Sequence, residues 1–150
     1  MLDAQDQLAI RQLIADRAYV FDEQDVEGLG ALFVPDGVME IHYPGETGAH
    51  VHFATSTEIV EGWRHYFETV PSGLLTRTHF LSVRLQQSEG TRAEGRSSYL
   101  LTGRSSDEQA VSLFTGVAEW EFERTERGWR FCRATGFVDQ QTWFDHPWSS

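Results

Sequence analysis

Apolar positions follow two different periods along this chain. Across residues 4 to 24, Ile10, Leu13, Ile14, Ala18 and Phe21 recur at spacings of three and four, which predicts an amphipathic helix. A shorter helix over 27–33 follows, stopped by Pro35-Asp36-Gly37. Val38 to Tyr43 alternates as a strand, with Met39, Ile41 and Tyr43 on one side and Glu40 and His42 on the other. A loop bearing His50-Val51-His52 leads to Thr55-Ser56-Thr57-Glu58, a capping box that opens a helix through Trp63, Tyr66 and Phe67 to about Thr69. Pro71-Ser72-Gly73 ends it.

From about Thr76 onward the pattern is alternating and antiparallel. Strands are predicted at 76–87, 91–104, 110–125 and 129–143, joined by turns at Ser88-Glu89-Gly90, Ser105-Ser106-Asp107 and Glu126-Arg127-Gly128. They exceed the usual five or six residues, so the sheet is expected to be strongly curved or bulged. Helices followed by such a sheet make an α+β domain in which the helices close one sheet face and leave room for a pocket. The tail Asp145-His146-Pro147-Trp148 reads as loose or packed on a neighbour.

Length and composition narrow the function classes. A chain of 150 residues with 40% hydrophobic content fits one domain, 1–150, with one core. The net charge of −11 disfavours binding to nucleic acid or to anionic membrane surfaces, leaving small molecules or further copies of the chain as partners. Lysine is absent, which excludes Schiff-base and Walker-type lysine chemistry, and asparagine is absent too. The start of the chain has no signal-peptide pattern and no apolar run is long enough to span a membrane, so a cytoplasmic location is expected. Cys132, the single cysteine, reads as a structural thiol within a strand.

Several polar residues stand where apolar ones are expected. His79 alternates with Leu81, Val83 and Leu85 and is placed on the apolar face of its strand, with Phe80, Ser82 and Arg84 on the other. A core histidine bonded to a carbonyl gives the same pattern. Asp22 lies at one edge of the first helix's apolar stripe, and Arg17 falls inside that stripe. A buried guanidinium requires a partner, either an acid such as Asp139 or Glu119 or an anionic group of a substrate. His42, His50 and His52 with Glu40 imitate a metal set, but no HExxH or paired helical histidines accompany them, and no metal is expected. Tyr99, Phe114, Trp120 and Phe122 read as pocket wall or core. A Ser-His-Asp hydrolase is disfavoured, since no GxSxG elbow occurs.

The order of motifs resembles a known family. Asp22 followed by Asp25, Leu29-Gly30-Ala31-Leu32-Phe33-Val34-Pro35-Asp36-Gly37, Thr78-His79-Phe80-Leu81, Ala93-Glu94-Gly95-Arg96-Ser97-Ser98-Tyr99, and Gly128-Trp129-Arg130-Phe131 with Asp139 downstream together look like the SnoaL-like group of the nuclear-transport-factor-2-like superfamily. The resemblance implies a cone-shaped α+β barrel of the cystatin-like type, with N-terminal helices on a curved, mixed, mainly antiparallel sheet. It also implies homo-oligomers, dimers or trimers. Within the superfamily the chain is similar to scytalone dehydratase and the bile-acid dehydratases, in which an Asp on the first helix pairs with a His on a central strand. Asp22 and His79 match those positions, and Tyr43 in Ile41-His42-Tyr43 matches a water-holding tyrosine. There are also departures: Gly103 stands near the scytalone-type second histidine, Leu101 or Thr102 near the bile-acid-type second acid, and Arg17 where many relatives carry tyrosine.

The expectation is therefore a cofactor-independent lyase or isomerase acting on a small hydrophobic cyclic oxygenated substrate. Asp22, His79 and Tyr43 are its catalytic candidates, and Arg17, Tyr99, Phe21 and Trp120 its substrate-binding candidates. A non-catalytic ligand-binding or assembly module and a polyketide-type ring cyclase are the alternatives.

Overall fold

The computed structural model describes residues 1–70, 73–104 and 110–140. Pro71-Ser72, the turn at Ser105-Ser106-Asp107, residues 141–143 of the last expected strand and the Asp145–Trp148 tail lie outside the described residues. Helix α1 (Ala4–Asp22) starts at Asp3, whose carboxylate accepts the Asp6 amide at 2.8 Å. It buries the expected Ile10, Leu13, Ile14 and Phe21. A short α2 (Val26–Ala31) leads into β1 (Phe33–His42), which begins five residues before the predicted strand. Pro35-Asp36-Gly37 does not stop the chain: pairing with the last strand shifts register between Phe33 and Val38, so the tripeptide sits in a bulge.

The three-residue β2 (Val51–Phe53) pairs with β1 through Met39 and Phe53, too short a run for alternation to announce it. Helix α3 (Ser56–Thr69) carries the expected capping box, with Thr55 accepting from the Glu58 amide and Glu58 from the Ala54 amide. The strands β3 (Leu75–Glu89), β4 (Arg92–Arg104), β5 (Ala110–Thr125) and β6 (Gly128–Val138) complete a six-stranded sheet of order β2-β1-β6-β5-β4-β3. Only β1 and β6 run parallel. The helices cover its inner face, where Phe122 and Phe131 are fully buried with Ile10, Leu29, Met39 and Ile59. This is the expected α+β arrangement, with a mixed sheet that does not close on itself. No described helix is long and apolar enough to cross a membrane.

The open edge of β3 is finished by α1. Asp22 accepts the Thr78 amide at 2.8 Å, and the Arg11 guanidinium reaches the Val83 carbonyl at 3.4 Å. Two backbone groups of an edge strand thus find partners on side chains of the helix beside it.

A bulge in β3 corrects the expected facing of its side chains. Register with β4 shifts between Leu81 and Arg84, and Ser82 adopts φ +56°, which reverses the alternation within one strand. Before the bulge Thr76, Thr78 and Phe80 turn inward and His79 and Leu81 are exposed; after it Val83 and Leu85 pack on the core. Phe80 is therefore an inner residue and His79 an outer one, the opposite of a uniform period of two.

Candidate functional site

A cavity of about 580 Å³, its mouth included, lies between α1, α3 and the inner face of the sheet. Its wall is aromatic. Phe21 and Trp63 meet edge to face at 5.0 Å, Phe80 and Trp120 at 5.2 Å, and Tyr99 and Phe114 at 5.8 Å. The Trp63 indole N–H donates to the Met39 sulfur at 2.8 Å, which fixes that ring in the wall. Gly116 gives Tyr99 its place: a Cβ there would stand 2.6 Å from the Tyr99 ring and 2.3 Å from the Phe137 carbonyl.

Against this wall stand a cation and a phenol. Arg17 enters the cavity from α1 with its guanidinium carbon 5.6 Å from the Phe21 ring centre and 5.4 Å from that of Phe80. Burial lowers its pKa from 12.5 to about 10, while Tyr99 and Asp22 act in the opposite direction. Among the described residues no carboxylate is within ion-pair distance of it. The two acids proposed as partners are engaged elsewhere: Glu119 pairs with Arg96 at 3.7 Å, and Asp139 accepts from the Thr115 hydroxyl at 2.7 Å. Burial also pushes the Tyr99 phenol well above its ordinary value of 10, an effect that Arg17 only partly offsets. Tyr99 consequently remains a neutral hydrogen-bond donor at physiological pH.

The other candidates do not line the cavity with this pair, although Asp22 acts on the Arg17 charge and Tyr43 on the Tyr99 phenol. Asp22 accepts three hydrogen bonds from β3, from the Thr78 amide, the Thr78 hydroxyl at 2.7 Å and the Thr76 hydroxyl at 3.2 Å. None comes from His79. That imidazole lies on the outer face, with Nε2 3.3 Å from the Thr102 hydroxyl. The bulge at Ser82 is the physical reason: it lets Val83 and Leu85 face inward while His79, Leu81 and the rest of the preceding segment keep the outward parity. Tyr43 is buried just beyond β1 against the His50 ring at 4.5 Å and does not line the cavity.

The remaining candidates for metal chemistry also have other partners. Glu40 accepts from His52 at 2.9 Å, lies 3.1 Å from His42 Nε2, and pairs with Arg133 at 3.3 Å. Burial would raise its pKa, but His42, His52 and Arg133 outweigh that and hold it below the usual carboxylate value. His50 turns to Glu46 at 3.0 Å. Among the described residues, no group of three His, Cys, Asp or Glu side chains is placed to hold a metal. Cys132 is half-buried and burial raises its thiol pKa, which keeps it protonated and unreactive.

The four substrate-binding candidates, Arg17, Phe21, Tyr99 and Trp120, all line the cavity. Trp63 and Phe80 were missed as wall residues, as was Thr78 as the partner of Asp22. The antiparallel register holds a usable signal: Phe80 pairs with Tyr99, so an inward Tyr99 demands an inward Phe80.

Helices on one face of a strongly bulged six-stranded sheet, with an aromatic cavity between, make a cystatin-like fold. Solved structures agree. A protein from Novosphingobium aromaticivorans described as the β subunit of an aromatic-ring-hydroxylating dioxygenase superposes with TM-score 0.79 at 16% identity, covering 91% of this chain and 90% of its own. Aln2 from a Streptomyces species superposes with TM-score 0.78 at 14% identity, covering 93% of each chain. A protein from Catenulispora acidiphila in complex with S-DNPA reaches TM-score 0.76 at 18% identity over 91% of this chain and 95% of its own. No curated protein matches the chain. Residues 3–135 match the SnoaL-like domain, and the chain belongs to that family.

Proposed function

We propose that the cavity binds a small hydrophobic oxygenated ring compound and that the protein acts on it as a cofactor-independent lyase or isomerase. The observation that carries this reading is the Arg17 guanidinium, with no carboxylate at ion-pair distance among the described residues, in a largely apolar cavity that Tyr99 also lines. Two donors lining one apolar slot can stabilise negative charge developing on a carbonyl oxygen, the electrophilic half of an enolisation. One such donor is typically worth about 10²–10³-fold in rate. Among the described residues no imidazole lines the cavity, and the Glu40 carboxylate is committed to His42, His52 and Arg133. The chemistry therefore suits substrates whose C–H is already acidified, such as one flanked by two carbonyls.

A second reading, a ligand-binding module without turnover, is favoured by that same lack of a facing base. One experiment separates the two. Ring hydroxyketones and 1,3-diketones are screened for conversion by the wild type, Arg17→Met, Tyr99→Phe and His79→Ala. Conversion by the wild type and His79→Ala, reduced at least tenfold in Arg17→Met, is the expected result. Equal conversion by wild type and Arg17→Met sinks the oxyanion role, and binding without conversion across the panel selects the module.

A further inference from the structure

Among the described residues, the cation in the cavity wall lacks a partner acid in a chain rich in acids. Four exposed arginines have acids, Arg64 with Glu27, Arg92 with Glu123, Arg96 with Glu119 and Arg124 with Asp6, whereas others such as Arg84 and Arg127 stand in solvent, which hydrates their charge. Arg17, enclosed in the cavity wall, has none among the described residues, although the chain carries 23 acidic residues against 12 basic ones. Its neighbours are two phenyl rings, and Asp22, the acid that influences it, spends its oxygens on Thr76 and Thr78. An uncompensated cation in a low-dielectric site costs several kcal/mol, and an anion delivered from outside removes that cost.

We propose that the ligand of this cavity is a monoanion, a ring compound bearing one carboxylate that pairs with Arg17 while its ring lies against the aromatic wall. This rests on the reading of the cavity as the functional site and specifies the charge of what it takes. Three features select a carboxylate. Arg17 is the only cationic side chain lining the cavity among the described residues, so one negative charge neutralises it and the second charge of a phosphate monoester is left without a partner. A planar guanidinium matches a planar carboxylate with two parallel hydrogen bonds. Tyr99 is a donor that stays protonated, so it is no competing anion and can donate to a ring carbonyl of the same ligand. Phe21, Phe80 and Trp120 then meet an apolar ring and not a polar chain.

Calorimetric titration at pH 7.5 with benzoate, cyclohexanecarboxylate and 2-naphthoate, each beside its neutral primary amide, tests this in the wild type, Arg17→Met and Arg17→Lys. The expected result is that at least one acid binds the wild type ten or more times tighter than its amide. Arg17→Met erases that preference, and Arg17→Lys keeps part of it. An amide that binds the wild type as tightly as its acid overturns the monoanion but leaves the cavity reading standing. Retention of the preference in Arg17→Met overturns the assignment to Arg17. Failure of every acid and amide to bind the wild type at millimolar concentration overturns both.

Discussion

Replacing Arg17 by methionine should make the ligand-free protein more stable. The guanidinium pKa of about 10 against 12.5 means that the folded chain holds the cation less favourably than the unfolded one, by roughly 3 kcal/mol at about 1.4 kcal/mol per pKa unit. Because the folded value lies below the unfolded one, the unfolded chain binds more protons only between those two values, and stability rises with pH across that alkaline window. At neutral pH the whole cost is present. Methionine removes the cost and fills similar space with apolar atoms, but it gives up the contacts to Phe21 and Phe80, which at 5.6 and 5.4 Å are each worth about 0.5–1 kcal/mol. The balance is a gain of about 1–2 kcal/mol, or about 2–8 °C in Tm at 2–4 °C per kcal/mol for a chain of this size. Thermal unfolding at pH 7 without ligand measures it. Saturation with a tight carboxylate should reverse the order, since a ligand at 100 times its Kd adds about 2.7 kcal/mol to the wild type alone. A fall of Tm in ligand-free Arg17→Met by more than a few degrees would refute the reasoning, because it would show that the cation is held favourably by the protein itself.

Two further outcomes test the supporting structure. Asp22→Ala leaves the Thr78 amide and two threonine hydroxyls without their acceptor and removes the carboxylate that favours the Arg17 cation; a loss of about 2–4 kcal/mol in urea unfolding is expected, and a loss below about 0.5 kcal/mol contradicts the edge-capping role. Glu40→Gln tests the cluster on the outer face: His42, His52 and Arg133 hold the Glu40 carboxyl below its ordinary value, so its contribution is present above pH 4.5 and disappears as pH falls through the lower folded-state value. The stability curves of wild type and Glu40→Gln should therefore be separated near neutral pH and converge in acid, whereas a constant separation down to pH 2 would show that the charge of Glu40 is not what stabilises the cluster.

Which parts of this protein were legible in its sequence follows from how each signal is carried. The helix faces, the capping box at Thr55 and the four long strands are local patterns, and each was visible in the spacing of apolar residues. The position of Arg17 was visible for the same reason, since a helical period has no insertions to upset it along α1. His79 was misplaced because a strand's facing depends on every residue between it and the reference point, and Ser82 adds one. Nothing in Leu81-Ser82-Val83-Arg84 announces a left-handed residue, as no glycine or asparagine marks it. The resemblance to dehydratases correctly supplied the fold, yet it placed Asp22 and His79 in one device without regard to the face on which each stands.

The geometry of α1 explains why Asp22 and Arg17 do different work. Residues five apart on a helix are about 140° apart in direction, so a helix laid along the free edge of β3 turns one of them to the edge and the other into the cavity. Asp22 finishes the strand, and Arg17 charges the pocket. The two are still linked, because the carboxylate that accepts from Thr76 and Thr78 also favours the cation earlier on the same helix. The edge of the sheet and the chemistry of the cavity thus depend on one helix, whereas His79 stands exposed on the edge strand and does not line the cavity.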